Sequence, residues 1–170
     1  GELLDNYLHD MNIVQNFARL NRQAIAADMI KSLKFTQLTS FSTVHNYIDT
    51  ENKILRKGAI SAQDGERIMI PLNMRDGCLI CRGKGNADWN CSAPHGAGRA
   101  FNRTDTVNAF TLSRYKKEMQ GVYSTSVSRD TLDECPMAYK DSNTIMEQIN
   151  PTAEITEKLT PVYNFKAGAK

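Results

Sequence analysis

The 170-residue sequence has no apolar run approaching the roughly 20 residues that a membrane-spanning helix needs. Its N-terminus also lacks the basic-then-apolar pattern of a signal peptide. Cysteine is scarce: the four present do not show the spacing of a secreted disulfide scaffold, so a reducing, cytoplasmic setting is expected. A dominant charge sign is missing too. The 21 Lys and Arg nearly balance 19 Asp and Glu, and the resulting +2 is too small for nucleic-acid binding by bulk charge. Any RNA or nucleotide must then be held by a local cluster of basic groups. Glycine and proline are absent between Glu2 and Leu55, and the chain shows neither an internal repeat nor a clear linker. With 41% hydrophobic and 24% charged residues the composition is that of an ordinary globular chain, long enough for one domain with a single core.

The segment that the absence of glycine and proline leaves uninterrupted begins as one long helix over about thirty residues. Leu4, Tyr7, Leu8, Met11, Val14, Phe17, Ala18 and Leu20 recur at steps of three and four, with Asp10, Asn12, Gln15 and Arg19 between them. After Phe35 the helical period is lost, and "LTSFSTVHNYID" is Thr-, Ser- and β-branched-rich, which predicts extended chain. Short apolar runs at Ile54–Leu55, Ala59–Ala62, Arg67–Ile70 and Cys78–Cys81 predict strands, separated by turns at Asp64-Gly65 and Arg75-Asp76-Gly77. A helix is expected from about Val107 to Gln120, capped by Asp105 or Thr106, with Lys116 and Lys117 at its negative end and Gly121 as its stop. A shorter one runs over Ser142–Ile149, before Pro151. The last twenty residues read as extended, ending in a frayed "FKAGAK". The fold class is α+β: a long N-terminal helix, a β-rich middle and further short helices.

The chemistry concentrates in "NCSAPHGAGRAFNR". Small residues beside a reactive group let backbone N–H groups approach an anion, since no Cβ bulk intervenes. Histidine is a competent nucleophile towards a polarised phosphoryl group, and arginine offers a fork matched to phosphate oxygens. His95, Gly96, Ala97, Gly98 and Arg99 thus read as a phosphate site, or more plainly as a Gly-rich turn after a strand. Cys78, Cys81, Cys91 and His95 offer the ligand types of a structural zinc site. Strand alternation opposes that reading, because it points Cys78 and Cys81 to opposite faces; the simpler alternative is two buried thiols. His45, in "TVHNYID", is either a structural histidine or a nitrogen ligand for a divalent metal. His9 reads as a surface side chain, and Cys135 has no basic partner nearby in sequence. Arg82, Lys84, Arg99 and Arg103 amount to a modest basic patch.

The ordered segments "DNYLHDMNIVQNFARLNRQAI", "VHNYI", "RKGAI", "IPLNMRDGCLICRGKGN", "CSAPHGAGR", "DECPMAYKD" and "VYNFKA" resemble the C-terminal portion of the RtcB-type RNA-splicing ligases. The resemblance covers nearly the whole chain. It implies an enzyme that joins RNA 3′-phosphate or 2′,3′-cyclic phosphate ends to 5′-hydroxyl ends, using GTP and manganese through a GMP-histidine intermediate. By this resemblance His95 is the guanylylated nucleophile, Arg99 holds phosphate charge during transfer, and His45 is a manganese ligand. Gly96, Ala97 and Gly98 close around the phosphate and ribose. Asn73 and Cys78 face the nucleotide, and Tyr139 and Lys166 contact the guanine base. Two departures stand out: Cys78 replaces a hydroxyl, and four residues follow Lys166, where family chains commonly end.

The family's remaining metal ligands lie in an N-terminal half that this sequence does not contain. The expectation is therefore the C-terminal portion, residues 1–170, of a single RtcB-like catalytic domain, inactive alone and in need of that half in cis or trans. Its partners would be RNA ends and a guanine nucleotide, with no membrane involved. Two other classes remain: a non-catalytic guanine-nucleotide or RNA-binding remnant, and a small zinc-stabilised module.

Overall fold

The computed structural model describes residues 1–166. Helix α1 spans Glu2–Ser32, with Glu2 and Asp5 in its first turn and Lys31 in its last, each sign matching the helix dipole. The predicted helix is there, but its apolar stripe is not a core face: α1 buries no residue, and Tyr7 and Phe17 are 52% and 70% exposed. Its side chains reach the remainder sparingly, as where Gln15 Oε1 accepts from Ile48 N at 2.9 Å.

The β-rich middle forms two antiparallel three-stranded sheets. One has the order β1-β2-β5, from His45–Asp49, Ile54–Ser61 and Ser92–Pro94; the other is β3-β4-β6, from Arg67–Asn73, Gly77–Gly83 and Ala153–Leu159. Strand β3 shows the period-2 pattern cleanly. Ile68, Ile70 and Leu72 are buried, while Arg67, Met69 and Pro71 face outward. These join Ile60, Leu79, Cys81, Ala93, Ala97, Ile145 and Ile149 in one core. A second core gathers Met74, Tyr115, Met119, Leu132, Cys135 and Ala138, and Tyr139 packs against both.

Three expectations are corrected. Ile54–Leu55 and Ala59–Ala62 are not separate strands but parts of β2, whose Gly58 adopts φ +67° at a bulge that shifts the register between His45 and Tyr47. The helix expected over Val107–Gln120 is two, α2 at Arg103–Ala109 and α3 at Leu112–Glu118. Phe110 is extended there so that it can pack on the second core, and Thr111 starts α3 by accepting from Arg114 N. The cap of α2 is Asn102, which accepts from Asp105 N, rather than Asp105 or Thr106. Helix α4 spans Ser142–Gln148, in line with expectation, and the extended C-terminal stretch becomes β6 on the outer edge of β4. Of the expected frayed "FKAGAK", residues 167–170 lie outside the described residues.

Arg56 ties the first sheet together. Its guanidinium is 1% exposed and pairs with Asp49 Oδ2 at 3.1 Å, Tyr47 Oη at 3.1 Å and Ser92 Oγ at 3.0 Å, one anchor reaching β1 and β5 from β2. The second sheet depends on a glycine. Gly77 turns β3 into β4 at φ +78°, and a methyl there would lie 1.9 Å from Leu159 O on β6. Gly77→Ala is expected to cost about 2 kcal/mol or more, read as a lower urea midpoint; an unchanged midpoint would mean that the β4–β6 edge absorbs the methyl.

Candidate functional site

A cavity of about 860 Å³ opens where the two sheets, the loop after β5 and the C-terminal segment meet. All ten residues that the resemblance assigns to the site line it: His45, Asn73, Cys78, His95, Gly96, Ala97, Gly98, Arg99, Tyr139 and Lys166; Cys81, Cys91, Arg82 and Lys84 do not. The ten come from six segments of chain, so their meeting is a product of the fold.

The two histidines converge through β2. Ile60 pairs with His45 on one side and with Ala93 on the other, which brings the start of β1 and the end of β5 to the same place. The bulge turns His45 toward His95 while leaving it exposed: Asn46 at φ +53° accepts from Gly58 N at 2.7 Å. The imidazoles of His45 and His95 then stack, with centroids 5.1 Å apart and planes 11° from parallel. His95 lies over Gly58, where a methyl would sit 3.7 Å from its Nδ1, and that buried nitrogen has no hydrogen-bond partner among the described residues.

The small residues after His95 are needed for packing as well as for anion approach. A methyl on Gly96 would lie 3.0 Å from Pro71 O, and Ala97 N donates to that same carbonyl at 3.0 Å. Ala97 N is therefore spent on β3 and is not a free anion donor. Asn73 is similarly committed. Its Oδ1 accepts from Arg75 N and Asp76 N, and its amide donates to Asp76 Oδ2, so the side chain holds the β3–β4 turn. Burial pushes the Cys78 thiol up, so it stays protonated at neutral pH.

Arg99, Tyr139 and Lys166 converge on a residue that the sequence did not reveal, Glu134. Its Oε2 accepts from Tyr139 Oη at 2.6 Å and pairs with Lys166 Nζ at 3.4 Å; its Oε1 pairs with Arg103 Nη1 at 2.8 Å and Arg99 Nη1 at 3.5 Å. Arg99 also donates to Phe101 O, Thr106 Oγ1 and Asp133 O, and lies 5.2 Å over the Tyr139 ring. Its guanidinium is thus engaged on every edge by the protein itself. Arg103, 67% exposed in its side chain and paired with Asp133 and Glu134, is the more accessible cation on this wall. The available sequence signal for Glu134 was its place five residues before Tyr139 in "DECPMAYKD". Nothing local announced that it would collect four donors.

The zinc set is not assembled. Cys81 is buried in the core with its thiol pushed up to about 11 by burial, and Cys91 Sγ faces Gly85 O at 3.4 Å. All four cysteines are free, and among the described residues no three His, Cys, Asp or Glu side chains stand close enough to hold a metal ion. For manganese the same geometry supplies two neighbouring imidazoles and nothing more, so the residues present do not make a complete site. No helix among the described residues is long and apolar enough to cross a membrane.

Residues 1–167 match the family model for RtcB, the tRNA-splicing ligase. The chain belongs to the RtcB family. It is 32% identical to the RNA-splicing ligase RtcB of Escherichia coli K12, a match covering 97% of this chain and 44% of that protein. It is 30% identical to the tRNA-splicing ligase RtcB of Aeropyrum pernix, over 84% of this chain and 37% of that protein. The chain therefore spans less than half the length of these relatives.

Burial pushes the Glu134 carboxyl up, but the Tyr139 hydroxyl, Lys166 and Arg103 outweigh it and hold the group below the usual glutamate range. A depressed folded value means stability that is present above the unfolded value, near 4.5, and is lost as pH falls through the folded one. Glu134→Gln is expected to flatten the stability–pH slope below that point by at most about 1.4 kcal/mol per pH unit. Urea titrations between pH 3 and 6 check this, and an unaltered slope would remove Glu134 from the acid-sensitive set.

Proposed function

We propose that this RtcB-family chain is the nucleotide-holding portion of an RNA ligase that uses GTP and manganese, acting on RNA 3′-phosphate or 2′,3′-cyclic phosphate ends and 5′-hydroxyl ends in the cytoplasm. The observation that carries the reading is the single cavity in which His95, Arg99, Tyr139 and Lys166 meet. A nitrogen nucleophile, phosphate-matched cations and a polar pair suited to a base edge share about 860 Å³, a volume fit for a nucleotide.

In this reading His95 attacks through Nε2. A proton on the buried Nδ1 leaves the other nitrogen with its lone pair free, the tautomer that nucleophilic attack needs. The Nε2–Pα bond forms, the bond from Pα to the bridging oxygen breaks, and pyrophosphate departs. An oxygen of the RNA 3′-phosphate then takes the guanylate from His95 and restores the imidazole. The RNA 5′-hydroxyl attacks that activated phosphate, loses its proton to solvent and displaces GMP. Arg103, the accessible cation, would meet the phosphate directly, while Arg99, its edges taken by protein groups, balances the charge through space.

His45 would offer one nitrogen to a manganese ion whose other ligands would have to come from the N-terminal half of the ligase, in cis or in trans; such a metal would supply charge neutralisation at the phosphate. The uncovered apolar residues of α1 support a contact with that half.

Intact-mass analysis of this chain with GTP, manganese and the N-terminal half of an RtcB ligase tests the reading. One guanylate is expected, mapping to the peptide that contains His95, and His95→Ala should lower adduct yield by about a thousandfold or more. An unmodified chain under these conditions, or an adduct unaffected by His95→Ala, would sink it.

A further inference from the structure

The groups around Glu134 differ in what they can still do once the carboxylate is served. Tyr139 donates its only proton to Glu134 Oε2 at 2.6 Å and accepts a long bond from Arg99 Nη1 at 3.5 Å, which leaves the phenol oxygen one lone pair, able only to accept from a ligand. Lys166 is the reverse, an ammonium that can only donate, tethered to the same Oε2 at 3.4 Å. Both line the nucleotide cavity. Asn164 lines it as well, and its Oδ1 is buried without a partner among the described residues. One wall therefore offers an acceptor at Tyr139 beside a donor at Lys166.

We infer that Glu134 is the positioning residue that makes this cavity select guanine over adenine, by fixing the direction of the Tyr139 hydrogen bond and holding Lys166 beside it. The inference rests on the reading of this cavity as a guanylate site. Guanine presents N–H donors at N1 and N2 next to the O6 acceptor, the complement of that wall. Adenine presents an acceptor at N1 and a donor at N6, reversing both partners. Tyr139 could serve adenine only by turning its O–H away from Glu134. That would strip the short bond from a carboxylate of which 16% is exposed. Lys166 would still face an N–H. Burial, together with the Glu134 hydrogen bond and charge, pushes the Tyr139 hydroxyl up to about 12, so the phenol keeps its proton across the physiological range. Glu134 itself need not touch the base.

Equilibrium dialysis of GMP and of AMP against the full chain tests this as a ratio of affinities, which a general loss of packing would not change. The wild type is expected to favour GMP by about tenfold or more. Glu134→Gln should shrink that ratio by about fivefold or more, through weaker GMP binding with AMP binding held or improved. Tyr139→Phe, which leaves the carboxylate in place and removes the acceptor, should shrink it too. A ratio that survives either substitution, an equal loss for both nucleotides, or a wild type indifferent to the base overturns the role of Glu134 and leaves a nucleotide site standing. A wild-type chain that binds neither nucleotide overturns the guanylate reading itself, and this inference with it.

Discussion

A single carboxylate organises the cavity. Glu134 ends a short 3-10 helical segment, Arg129–Glu134, and is largely withdrawn from water, a position that is costly for a charge unless donors surround it. Four are supplied, by Arg99 after β5, Arg103 at the start of α2, Tyr139 beyond the next turn and Lys166 near the C-terminus. Satisfying one partly buried charge thus fixes the loop after β5, the start of α2 and the C-terminal segment relative to one another. Tyr139 carries that constraint into the hydrophobic interior, because its ring packs on both cores while its hydroxyl serves Glu134. Moving the carboxylate would disturb packing and polar contacts together.

The histidine side of the cavity is built by a different device. Strand β2 pairs with β1 on one edge and β5 on the other, so the ends carrying His45 and His95 share a neighbour. A regular ladder would still send His45 along its own face. The bulge at Gly58 and the left-handed Asn46 break that regularity, and the rings stack. Backbone irregularity does here what charge does at Glu134.

These two devices explain what the sequence revealed and what it hid. Helix α1, the alternation in β3 and the turns at Asp64-Gly65 and Arg75-Asp76-Gly77 are local patterns, readable from period and turn chemistry. The break at Phe110-Thr111 was missed because the residues on either side keep helical character, and only the second core calls Phe110 out of line. Ten of the lining residues were found through resemblance and motif. Their employment was not: Asn73 holding a turn, Ala97 N bonded to Pro71 O and Arg99 saturated by protein partners all depend on long-range contacts that no spacing encodes. Glu134 stayed hidden for the same reason.

The two halves of the cavity are unequally complete, and the inequality has a direction. On the Glu134 side every charge finds an opposite charge within this chain. On the His45 side two imidazoles face each other with no third ligating side chain among the described residues. His45 also stands on the rim of a groove of about 1150 Å³ between α1 and residues 37–51, where Val14 of the helix lies open. Uncovered apolar area is unfavourable in water, and two imidazoles fall short of the coordination number that a divalent metal takes. Because the groove along α1 reaches His45, on the proposed reading a partner segment that supplied ligands there would also lie against the helix, and the two contacts would form in a single docking event.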